Sequence, residues 1–177
     1  EAREKMHNAS TMAGMAFANA FLGMSHSMAH KIGAVHHTVH GRTNAILLPY
    51  VIRYNGTRPS KTTTWPKYNY WKADEKFQDI ARMLGLPHST PEEAVEAYAK
   101  AVYELGVAVG IKMNFKDQGI DEKAWKDSLH EIALLAYEDQ CSPANPRLPM
   151  VADMEEIMAD AYYGYGERPG CLLYTSD

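Results

Sequence analysis

From Glu1 to Ile32 the chain is helical in pattern, with small residues (Ala9, Ala13, Gly14, Ala16, Ala18, Ala20) alternating with Met12, Met15, Phe17 and Phe21. A face built of such small side chains lets another element approach closely. Gly33 then permits the chain to leave the helix. His40 to Tyr54 reads as a second helix carrying Ala45-Ile-Leu-Leu, in which Pro49 should kink the helix or start its last segment, and Asn55-Gly56 is a stop signal. Thr57 to Tyr70, with Pro59, Trp65 and Pro66, reads as a loop. Lys72 to Leu84 places Ala73, Phe77, Ile80, Ala81 and Leu84 on one helical face, closed by Gly85. Thr90-Pro91-Glu92-Glu93 supplies an N-cap, a proline at the first helical position and a capping-box glutamate, opening a helix to about Leu105.

Lys112 to Gly119 reads as a connector. Asp121 is the N-cap for a helix through Trp125, Leu129, Ile132, Leu135 and Ala136. Cys141 to Pro149 holds three prolines and cannot be helical throughout, and Val151 to Tyr163 is a last amphipathic helix ended by Gly164. Only Val107-Ala-Val-Gly-Ile is β-branched enough to suggest a strand, and it is short. The pattern therefore predicts an all-α domain of six or seven helices. Residues 1–164 form that domain; the stretch from Tyr165 to Asp177 continues no periodicity and reads as an added tail.

Composition narrows the class. The chain has 177 residues, about one domain's worth, and its 46% hydrophobic content suffices for a real core. A net charge of −4 with interspersed signs offers no basic surface for nucleic acid. The longest apolar-rich run, Thr11 to Met24, is too short and too marked by Gly and Asn to span a membrane. The charged opening Glu1-Ala-Arg-Glu-Lys does not read as a secretory signal, and two cysteines, Cys141 and Cys171, make no disulfide framework, which suits a reducing cytoplasm.

Chemistry concentrates between Gly23 and Asn44, where five of the eight histidines fall: His26, His30, His36, His37 and His40. His26 and His30 stand at i and i+4, one turn apart on one helix face. The segment from Ala34 to Val39 spans at most about 20 Å when extended, enough to fold His40 back towards His26. Imidazole is the commonest metal ligand near neutral pH, so convergent histidines point to a divalent transition metal. A His-x3-His pair on a helix equally serves to cap, pack or face water, and His36 and His37 read as loop residues. Ser27 stands where the glutamate of a His-Glu-x2-His zinc protease would be. No acidic residue lies between Phe21 and Val51, so the stretch offers imidazoles without a carboxylate.

Gly14 to Asn55, running through Gly-Met-Ser-His-Ser-Met-Ala-His-Lys-Ile-Gly and His-Gly-Arg-Thr-Asn, resembles the iron-dependent (group III) alcohol dehydrogenases, and more narrowly the alcohol dehydrogenase half of the bifunctional aldehyde-alcohol dehydrogenases. Glu138-Asp-Gln-Cys-Ser-Pro-Ala-Asn-Pro-Arg-Leu-Pro and Ala161-Tyr-Tyr-Gly resemble the C-terminal end of the same half. The resemblance implies a helical metal-binding domain without its α/β dinucleotide-binding partner. It implies that His26 and His40 are metal ligands, beside an aspartate and a further histidine from a stretch before residue 1. It places His30 next to the metal and substrate as a catalytic, proton-handling residue, and Phe17 near the nicotinamide of the cofactor.

The activity implied is hydride transfer between NAD(H) and a short-chain alcohol or aldehyde, with Fe(2+), or Zn(2+), as Lewis acid. NAD(H) would be bound mainly by the absent domain, since no Gly-rich phosphate loop occurs in this sequence. The relatives' assembly into homo-oligomers or filaments leaves a second reading open, a helical interaction module. A third is an unrelated three-histidine metalloprotein such as a hydrolase, which a carboxylate close to the histidines would support.

Overall fold

A computed structural model describes residues 1–59 and 71–165. Residues 60–70, most of the expected loop, and 166–177, nearly all of the expected tail, lie outside the described residues. Seven α-helices make up the described fold: α1 (Ala2–Ala20), α2 (Met24–His36), α3 (His40–Gly56), α4 (Ala73–Met83), α5 (Pro91–Ala108), α6 (Glu122–Tyr137) and α7 (Val151–Tyr163). A short 3₁₀ turn covers Ser142–Ala144, and no strand occurs among the described residues. The all-helical expectation holds.

Local chemistry explains most boundaries. Thr90 Oγ1 accepts the Glu93 N–H at 3.2 Å, as in a usual capping box, while the Glu93 carboxylate reaches one residue past the N-cap and accepts the Ser89 N–H at 2.7 Å. Asp121 accepts the Ala124 N–H at 2.9 Å, and Asp153 accepts the Met150 N–H at 2.8 Å. The helix from Thr90 runs past Leu105 to Ala108, and Gly110, at φ 83°, turns the chain away. The strand-like Val107 to Ile111 is thus the end of a helix and the turn that follows it.

Two boundaries differ from the sequence pattern. The run Glu1 to Ile32 is not one helix: it breaks at Phe21 (φ 64°) and restarts at Met24. The restart is a tertiary effect, because Asn145 Oδ1 accepts the Met24 N–H at 3.2 Å, and a Cβ on Gly23 would lie 2.7 Å from that oxygen. Nor does the chain leave α2 at Gly33. The helix continues to His36 and turns at His37, in the left-handed region. The His36 side chain holds this extra turn by bonding Ser128 on α6 at 2.9 Å and lying 5.2 Å, ring to ring, from Trp125.

The core lies between α2, α3, α6 and α7. Met24, Met28 and Ile32 form the inner face of α2, at i, i+4 and i+8. They meet Ile46, Leu47, Tyr50, Val51 and Tyr54 of α3, Ile132, Ala133 and Ala136 of α6, and Met154, Ile157, Met158, Ala161 and Tyr162 of α7. Phe115, Trp125 and Tyr162 stack in series at 4.8 and 5.4 Å. A smaller cluster, Ile52, Val95 and Ala99 with Phe77, Tyr98 and Val102, fastens α4 and α5 to α3. Pro49 is buried inside α3, which continues through it. By contrast α1 buries none of its residues, and Met6, Met12, Met15 and Phe17 face outward.

Candidate metal centre

The histidines are positioned by the two ends of the α2–α3 corner. Asn145 grips the first turn of α2, two residues before His26. At the corner itself, Thr43 Oγ1 contacts Thr38 Oγ1 at 2.7 Å and the Val39 carbonyl at 3.0 Å, which pins the start of α3 and makes His40 its first residue. The corner folds His40 back against the outer side of α2, as its reach allowed. Ring centroids are then 5.3 Å apart for His26–His40, 5.3 Å for His30–His40 and 6.2 Å for His26–His30.

Those separations can be tested against a shared ion. With a metal–nitrogen bond of about 2.1 Å and a ring radius of about 1.1–1.2 Å, a ligating imidazole centroid lies about 3.2 Å from the metal, so two at a tetrahedral angle lie about 5.2–5.3 Å apart. His26 and His40 fit. Burial, followed by the neighbouring His40 and His30, holds His26 below the ordinary imidazole range, favouring the neutral form a metal requires. Among the described residues nothing hydrogen-bonds the His26 ring. Ser25 Oγ donates to Asn44 Oδ1 at 2.9 Å, which turns the Asn44 amide nitrogen towards His40 Nε2 at 3.2 Å; the Nε2 lone pair accepts this N–H, so an ion that binds His40 there takes the place of the Asn44 contact. Two imidazoles at this separation, one of them held neutral, suit a divalent first-row ion that displaces the Asn44 contact.

His30 has the same separation from His40 but different chemistry. Its Nδ1 lies 3.3 Å from Asp139 Oδ2, and Asp139 is 109 residues away in sequence. Lys31 Nζ approaches the same oxygen at 3.0 Å, while the Cys141 N–H donates to Oδ1 at 3.0 Å. The Asp139 side chain is 7% exposed; burial alone would raise its carboxyl, but the Cys141 N–H, Lys31 and His30 hold it well below the usual carboxylate range. The buried Cys141 thiol, desolvated and beside this anion, is pushed up to about 11. His30, Asp139 and Cys141 offer ligand atoms within 4.8 Å of one another.

Phe17, at the end of α1, reaches the rim of the centre, its ring 6.5 Å from His26 and half-exposed. His36 and His37 turn the other way and line a separate cavity of about 300 Å³ with Arg42, Phe115 and Gln118. The carboxylate missing from the histidine stretch is thus present in space. Spacing gave no sign of Asp139; its only sequence signal is that it lies in the Glu138-Asp-Gln-Cys segment that carries the resemblance.

Comparison with known proteins agrees with this architecture. Over 168 residues, 95% of the chain, it is 82% identical to an aldehyde-alcohol dehydrogenase of Streptococcus pneumoniae, covering 19% of that protein. It is 62% identical over 163 residues, 92% of the chain, to aldehyde-alcohol dehydrogenase 2 of Entamoeba histolytica, again covering 19%. The chain thus spans about a fifth of the length of these relatives. The crystal structure of a 1,3-propanediol oxidoreductase superposes with a TM-score of 0.76 at 34% identity, over 91% of this chain and 38% of that one. The model of the Fe-containing alcohol dehydrogenase family, C-terminal part, matches residues 1–162, and with the helical core and the histidine corner this shows that the chain belongs to that family.

Proposed function

We propose that this domain supplies His26 and His40 as two of the metal ligands, and His30 as the proton-handling residue, of an NAD(H)-dependent alcohol dehydrogenase acting on short-chain alcohols and aldehydes. The observation that carries the reading is the His26–His40 pair, 5.3 Å apart with His26 disposed to be neutral. Fe(2+), or Zn(2+), supplies Lewis acidity at that point when bound. His26 and His40 hold position through the α2–α3 corner, and the Asn44 amide occupies the His40 Nε2 position that the ion would take. His30 stands beside them with Nε2 left for substrate, and accepts or returns the hydroxyl proton as alcohol and aldehyde interconvert. Phe17 supplies an apolar wall on the side where the nicotinamide enters, shielding the reacting carbon from water.

The remaining ligands and the dinucleotide site belong to a part of the full-length enzyme outside these residues, and the exposed apolar side chains of α1 suit packing against it. Residues 1–164 form the domain, with the rest a tail outside the family. The enzyme works in the cytoplasm as a homo-oligomer or filament. No helix among the described residues is long and apolar enough to cross a membrane.

The test uses the full-length enzyme carrying this segment. His26→Ala and His40→Ala each lose the metal and nearly all activity. His30→Ala keeps its metal and loses about 10²–10⁴-fold in rate, the usual range for a proton-transfer group. Full metal occupancy in either ligand variant refutes the ligand assignment, and metal loss in His30→Ala makes His30 a ligand instead.

A further inference from the structure

We propose that Asp139 is a positioning residue for the dehydrogenase reaction, which fixes the tautomer and the ring orientation of His30 from outside the metal centre. The inference rests on the assignment of His30 as the proton-handling residue. An ionised carboxylate has no hydrogen to give, so the hydrogen in the 3.3 Å contact belongs to His30 Nδ1, and Nε2 carries the lone pair. Without that acceptor a half-exposed imidazole can flip about its χ2 bond and present the wrong nitrogen.

Asp139 is itself immobilised. One oxygen takes the Cys141 N–H and the other takes Lys31, the residue next to His30 on α2. The carboxylate is therefore built into the junction of α2 with the end of α6, and its aim follows from the packing of two helices. Lys31 also decides between this arrangement and a second metal site on His30, Asp139 and Cys141. A fixed ammonium on the shared oxygen repels a cation, and the Cys141 thiol stays protonated at neutral pH where a metal needs thiolate. The triad orients an imidazole rather than holding an ion.

Full-length holoenzymes carrying Asp139→Asn, His30→Ala and both substitutions test this, with metal content, kcat and KM measured on each. Asp139→Asn is expected to retain its metal and KM while kcat falls about 10- to 100-fold, by analogy with the carboxylates that orient metal-ligating imidazoles. In the His30→Ala background it is expected to cost nothing further, because its effect passes through the ring. An equal loss in both backgrounds, metal loss, or an unchanged kcat overturns the inference. A slow His30→Ala beside a normal Asp139→Asn sinks this inference alone, whereas a normal His30→Ala sinks the reading of His30 as well. Should Asp139→Asn fail to fold, Asp139→Ser, which also removes the carboxylate, replaces it with the same expected and refuting outcomes. A crystal structure of the wild-type holoenzyme decides independently: His30 Nδ1 facing Asp139 supports the proposal, and Nδ1 turned away from it refutes it.

Discussion

Asn145 is the joint that fixes the histidine-bearing helix to the rest of the domain, and removing its amide should be costly. Its Oδ1 accepts the Met24 N–H at 3.2 Å and Asn55 Nδ2 at 3.4 Å, and its Nδ2 donates to Asn55 Oδ1 at 2.7 Å and to the Arg147 carbonyl at 2.6 Å. Asn145→Leu keeps much of the side-chain volume and deletes all four contacts. The 3.4 Å contact is weak; the other three are ordinary bonds, and the Asn55 amide, 7% exposed, is left without its partner. At roughly 1 kcal/mol per bond, with a further penalty for the stranded amide, the loss is about 3–4 kcal/mol. For a chain of this size each kcal/mol lowers the melting temperature by about 2–4 °C, so the melt should fall by about 6–16 °C. Thermal unfolding followed by helical circular dichroism at neutral pH measures it. Asn55→Leu in the same background should cost less than it does alone, because the stranded amide is then gone. A fall of under 2 °C, or strictly additive losses, would refute the reasoning.

Two further outcomes concern packing and pH. A Cβ on Gly56 would lie 2.5 and 2.7 Å from the two γ-carbons of Val95, a stiff side chain, so Gly56→Ala should destabilise by about 1–3 kcal/mol despite the gain of up to about 1 kcal/mol in helix propensity. Val95→Ala should recover part of that loss in the double variant, and a single variant melting at or above the wild type would contradict the close approach of α3 and α5. Asp139 has its folded-state pKa lowered, so the stability it contributes is complete above the ordinary carboxylate value near 3.9 and is lost as pH falls through the folded-state value. The melting gap between wild type and Asp139→Asn should therefore narrow as pH falls below about 4; a gap that widens there would reverse the sign of the effect.

Much of this protein is decided within a few residues of chain. The helical period, the caps at Thr90 and Asp121, and the stop at Gly164 depend on side chains reaching backbone groups three or four positions away, so they can be read directly from sequence. The pairing of His26 with His30 on one face is of the same kind, and so is the short reach that returns His40. Other features depend on residues that packing alone brings near. The break before α2 follows from Asn145, 121 residues from Met24, and the last turn of α2 from Ser128, 92 residues from His36. Asp139 joins His30 across 109 residues, because α6 packs along α2 and the chain turns immediately after it. A periodic pattern states which face of a helix is buried, but not which helix covers it. The imidazoles were therefore legible in the sequence, while the carboxylate that orients one of them was settled only by the tertiary fold.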